Sequence, residues 1–206
     1  MAVIHRTTMS PGKLDLLTEW LPTRPWYCGT GVPRLRKAGG FRLDDPAGVV
    51  GMEFMVVADG PVAYHLPLTY RGAPLDSAAD GLVGTSIHGV LGQRWIYDGT
   101  RDPVLLAQSI AMLTGRAEPQ AQSESDTPDP SVEITAADYP LLPAGFDAMG
   151  AVEGADHTEI TVDFAMLRIH RVLVPSVVGA TTGVVTAPWT GSDGGVARGI
   201  FLSLRS

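Results

Sequence analysis

The sequence predicts an α+β fold in which helices pack with antiparallel strands, followed by a second, smaller β-rich lobe. Three observations predict it. The 206 residues are 45% hydrophobic and only 18% charged, enough to bury a sizeable core. Apolar runs with strand composition alternate with turn signals, which favours hairpins over crossovers. Two segments also carry helix start signals.

The elements follow in order. Ser10-Pro11 opens a short helix whose apolar side is Leu14, Leu16, Leu17 and Trp20, and Leu21-Pro22 stops it. Val49 to Ala58 reads as a strand, Asp59-Gly60-Pro61 as a turn and Val62 to Tyr70 as the returning strand. Pro67 lacks an N–H and assigns that strand to an edge or a bulge. Leu82 to Leu91 and Arg94 to Tyr97 form a further pair, turning near Gly92. Asp102 caps a helix with Pro103 at its first position and Leu105, Leu106, Ile110 and Leu113 at helical spacing; Gly115 ends it. Ala117 to Pro130 is polar and Pro-interrupted, and reads as a disordered linker or long loop. Glu159 to Val174 is a long apolar or alternating run. Gly183 to Ala187 and Val196 to Leu204 are strands joined through the Gly191–Gly195 hairpin loop. The expected organisation is a lobe over 1–116, an acidic linker over 117–131 and a β-rich lobe over 132–206.

Charge sharpens the division. The formal net charge of −7 resolves into +1 over residues 1–116, −11 over 117–167 and +3 over 168–206. The acidic balance argues against nucleic acid and anionic membrane as partners. The apolar runs fall short of the roughly 20 residues a membrane helix needs, and Met1 to Ser10 has no hydrophobic signal core. With Cys28 as the single cysteine, no intrachain disulfide forms, and a cytoplasmic setting is expected.

Few motifs carry chemistry. His5, His65, His88, His157 and His170 form no HxxxH or HExxH pair, so no metal site is expected. Cys28 has no evident base. Gly84-Thr85-Ser86-Ile87-His88 lacks the closing glycine of a nucleophile elbow, and Gly29-Thr30-Gly31 lacks phosphate-loop spacing. Trp26, Tyr27, Tyr64, Tyr70, Trp95, Tyr97 and Trp189 could stack on sugar rings, although core packing is the weightier reading. Asp98 and Asp102 have the look of a carboxylate pair, but a turn aspartate followed by a helix cap explains them better.

Several short segments then converge. Leu21-Pro22-Thr23-Arg24-Pro25-Trp26-Tyr27-Cys28-Gly29, Tyr64-His65-Leu66-Pro67-Leu68-Thr69-Tyr70-Arg71, Leu82-Val83-Gly84-Thr85, and Tyr97-Asp98-Gly99 with Asp102-Pro103 occur in order. Together they resemble the N-terminal cap domain of bacterial maltokinases, over residues 10 to 116. One departure is Pro25 directly before Trp26, where the family has a basic residue; here Arg24 stands one place earlier. The resemblance implies a curved, cystatin-like antiparallel sheet around a helix. It also implies a link to trehalose, maltose and α-glucan metabolism, in which maltokinase makes maltose 1-phosphate from ATP. Ala165 to Leu173 is more faintly similar to the following kinase segment, with Arg168 where such kinases carry a phosphate-binding lysine.

The kinase catalytic pattern is absent, and the sequence contains no asparagine to serve as its metal ligand. The expected function is therefore a non-catalytic cap-like protein that binds a partner enzyme or a sugar and needs no cofactor. Its expected contact residues are Trp26, Tyr64, His65, Arg71, Arg94, Trp95, Tyr97 and Asp98, of which Arg71, Arg94 and Trp95 are the expected exposed ones. One alternative is a sugar-kinase relative that retains ATP and magnesium binding or phosphotransfer. The other is a structural module forming a homodimer through edge strands.

Overall fold

The computed structural model describes residues 8–138, 149–162, 165–176 and 182–205. His5, and Met1 to Ser10 up to residue 7, lie outside them, as do residues 163–164 of the long run after Glu159. The strands are β1 (Met9–Ser10), β2 (Leu35–Leu43), β3 (Gly51–Asp59), β4 (Val62–Arg71), β5 (Leu82–His88), β6 (Gly92–Asp98), β7 (Glu133–Thr135), β8 (Met149–Glu153), β9 (His157–Val162), β10 (Ala165–His170), β11 (Val172–Leu173), β12 (Val184–Thr190) and β13 (Val196–Arg205). The α-helices among the described residues are α1 (Lys13–Trp20) and α2 (Pro103–Leu113).

The fold is mainly antiparallel β with few helices, which bears out the expected antiparallel sheet but not its α+β, cystatin-like character. One sheet runs β1-β5-β6-β4-β3-β2-β12-β13-β10-β9-β8. It passes without a break from the first block of the sequence into the last. The reason is β2, which sequence reading did not assign because Gly39-Gly40 interrupts its apolar pattern. Gly40 has φ +124, and a Cβ there would stand 2.2 Å from Phe54 O, so only glycine fits.

The sheet also closes on itself. His170 is followed by Arg171 and then β11, which pairs with β4 at Val172↔Tyr64 and Leu173↔Ala63. The ring β4-β3-β2-β12-β13-β10, returning to β4 through β11, encloses the larger core. Phe41, Phe54 and Phe201 pack there, with Phe41 stacked on Phe54 at 4.7 Å. Helix α2 adds Leu105, Leu106, Ile110, Met112 and Leu113 to the same core. The opposite face of β3 and β4 builds a second core, where Met55, Val57, Tyr64, Leu66 and Leu68 meet Leu17, Trp20, Leu21 and Trp26.

The two helices differ in how they begin. Asp102 caps α2, accepting from Val104 N at 3.0 Å. Helix α1 instead begins after Gly12, whose N–H donates to Asp15 Oδ2, so Ser10 belongs to β1. Strand β4 is central rather than an edge, despite Pro67. The N–H of His65 points to Arg171 O at 2.8 Å, and Pro67, two residues on, faces the same side. There β11 has already ended and β6, which pairs from Leu68, has not begun. The missing donor therefore costs no ladder bond.

His65 is fully buried between Phe54 and Phe201. Its Nδ1 donates to His170 O at 2.9 Å. Burial pushes its pKa down to about 3, and His170 down to about 4. Both groups are held neutral in the folded chain but protonate near pH 6.5 once unfolded. Their contribution is full above about pH 6.5 and is lost as the pH falls towards the folded values. We expect His65 alone to remove about 2 kcal/mol of stability between pH 7 and pH 5. Urea midpoints across that interval measure the loss. The ring resonances of His65 should stay flat over the same range; titration near pH 6.5 would show that the ring reaches solvent.

Candidate functional site: the Trp95 face

All eight residues expected to make contacts lie on β4, β6 or the segment leading to β2, and the structure divides them. Five are interior. Trp26, Tyr64 and His65 are 0% exposed, Tyr97 is 2% and Asp98 is 3%. Each has a structural partner. Trp26 Nε1 donates to Glu153 Oε1 at 3.0 Å. Tyr64 Oη accepts from Cys28 N at 3.0 Å, and Tyr97 Oη accepts from Leu75 N at 2.8 Å. Asp98 Oδ1 accepts from Thr100 N at 3.1 Å, and Oδ2 accepts from Arg171 Nη2 at 2.5 Å. A side chain with no accessible area offers no face to a ligand in this conformation, so these five position the sheet.

Arg171 is the residue that sequence reading missed. It is 0% exposed, sits between β10 and β11, and bonds Asp98 and Thr100 of the first block. Its Nη2 also donates to Thr100 Oγ1 at 3.0 Å and its Nε to Thr158 Oγ1 at 2.8 Å. Its guanidinium lies 4.9 Å from the Trp26 ring centroid. The available signal was an arginine beside His170 in a mostly apolar run, which does not reveal its partner.

The remaining three stay half-buried at one end of the sheet. Arg71 stands directly opposite Trp95, and Trp95 directly opposite Thr85, so the three share one side. Gln93 opposite Ile87 extends that side by one row, with Ile87 56% exposed. Arg71 is held rigid, because its Nε and Nη2 each bond Asp102 at 2.7 Å. That partnership raises the Arg71 pKa further and fixes the cation on Asp102. Arg94 faces the other way with Ser86 and donates from Nη2 to Leu91 O at 2.9 Å. The structure thus brings Arg71 and Trp95 together and separates Arg94 from them.

The resulting face is an aromatic centre flanked by an arginine, a threonine, a glutamine and an isoleucine. It can stack, hydrogen-bond and bury apolar area, but it supplies no free carboxylate or thiol. Asp98 and Asp102 are both committed to caps and arginines. No group of three or more His, Cys, Asp or Glu side chains able to hold a metal occurs among the described residues. No helix among them is long and apolar enough to cross a membrane.

Residues 20–102 match the family model of the maltokinase N-terminal cap domain. All eight expected contact residues fall within that stretch. Comparison with curated proteins gives no match to the chain.

Proposed function

We propose, from the cap-domain match over residues 20–102, that this chain is a non-catalytic cap-like protein of α-glucan metabolism that docks on a partner enzyme through its Trp95 face. The observation that carries the reading is the row Arg71–Trp95–Thr85, an anchored arginine beside a half-buried indole. Tryptophan and arginine are the residue types that dominate protein interfaces. The face is part of a sheet surface, and two concavities among the described residues lie elsewhere. One is lined by Gly115, Pro119, Pro128 and Ile134, the other by Pro175, Thr186 and Arg198. A sheet surface fits a protein better than it encloses a small sugar.

Trp95→Ala is expected to weaken capture of the partner from native-cell extract by at least tenfold (about 1.4 kcal/mol). The urea midpoint should move by less than that of any interior substitution. Equal capture by wild type and variant would exclude this face. The alternative, a sugar-kinase relative, is favoured by the cap match alone. Saturable binding of ATP with magnesium in calorimetry, with phosphorylation of maltose, would replace the docking reading.

A further inference from the structure

The acidic stretch between the two blocks of sequence is a strap with a defined seat. Strand β2 meets β12 at one pair only, Gly39↔Trp189. Beyond it the outer edge of β2 is taken by Gln120, which exchanges both backbone bonds with Arg42 at 2.9 Å. Arg42 then wraps the strap, donating from Nε to Ala121 O and from Nη2 to Glu124 O, both at 3.0 Å. Gln122 Nε2 donates to Glu53 Oε1 at 2.8 Å. Glu53 is a buried carboxylate whose other oxygen is bonded by Lys13 and Tyr70. The strap closes on itself through Ala121 N to Thr127 O and Asp129 N to Pro119 O.

This is the pattern of strand addition, in which main-chain bonds give affinity and side-chain seats give specificity. The strap's apolar anchoring is confined to its start: Ala117 packs on the main core and Pro119 is buried, while Ser123, Glu124, Ser125 and Asp126 are exposed. Gln120 Oε1 is buried with no partner, so the seat does not fully satisfy its own occupant. Segments held by polar bonds with few buried apolar contacts open first. Arg42 bonds the strap's main-chain carbonyls and Glu53 accepts the Gln122 amide, so the seat reads backbone and an amide donor rather than charge.

We propose that residues 117–131 are a detachable strand-addition ligand, and that the β2 edge beneath them is a docking site for an extended segment of a partner protein that brings an amide donor to Glu53. The strap occupies the site in cis and so holds it closed. Because the occupant is on the same chain, a competing segment must exceed a high local concentration.

The test replaces residues 118–130 by a Gly/Ser segment of equal length in the full chain and adds a synthetic peptide of residues 117–131. The replaced chain should bind this peptide saturably. The peptide carrying Gln120→Pro, which lacks the donor to Arg42 O, should bind at least tenfold less tightly. Gln122→Ala in the peptide should cost several-fold. A folded replacement chain that takes up no peptide at millimolar concentration, or takes up a scrambled peptide equally well, overturns the proposal. Hydrogen exchange on the unaltered chain keeps the proposal testable if the replaced chain does not fold. Amides of 120–129 should exchange at least a hundredfold faster than those of 54–57, and equal protection would overturn it.

Discussion

Asp98→Ala is expected to cost about 3–5 kcal/mol of folding stability, measured by urea or guanidinium denaturation. Removing this carboxylate leaves the Arg171 guanidinium buried at 0% exposure with only the hydroxyls of Thr100 and Thr158. An uncompensated buried cation is more costly than the pair is favourable, so the loss exceeds what the ion pair is worth. The double variant Asp98→Leu, Arg171→Met should therefore recover a large part of the loss. A single-variant loss below about 1 kcal/mol would show that water reaches the arginine. The same pair ties residues 165–173 to the β6 end of the sheet. Fragments ending before Arg171 should accordingly fail to give the native near-ultraviolet signal.

Trp26→Ala should have an effect of similar size, about 3–5 kcal/mol, because a large fully buried ring leaves a cavity. The indole packs edge-on against Trp20 at 5.9 Å and beside Tyr64 at 6.2 Å. It also lies under Arg171 and donates to Glu153 on β8. Trp26→Phe keeps most of the packing and loses the donor, for about 1 kcal/mol. The two variants separate a structural role from a contact role. Partner capture should fall only in proportion to the folded fraction. Loss of capture at unchanged stability would return Trp26 to the contact surface.

Both effects concern residues whose local role is legible in the sequence and whose distant partners are not. Asp98 was legible as a turn aspartate, and its bond to Thr100 N shows that role. Its second oxygen meets a residue 73 positions away, which no local pattern encodes. Trp26 and Tyr64 were legible as aromatic and clustered. Whether an aromatic packs inward or faces outward depends on what covers it, here α1 and the segment before β2. Trp95 is no more aromatic than Trp26, yet it remains half-buried because it lies towards the end of the sheet. The linker reading of Ala117 to Pro130 came from composition. The seat that holds this stretch is built by Arg42 and Glu53, which are distant in sequence.

The sequence by itself determined the hairpins β3–β4 and β12–β13, the caps of α2, the acidic middle stretch, and the resemblance over the cap segment. These rest on turn chemistry, periodicity and short spacings, all of which act within a few residues. Only the tertiary structure decided that the two blocks share one sheet, that Arg171 and Asp98 meet, and which aromatics stay accessible. The physical reason is that strand pairing and burial are set by partners far along the chain. The decisive links, Gly39↔Trp189 and Val172↔Tyr64, join segments more than 100 residues apart.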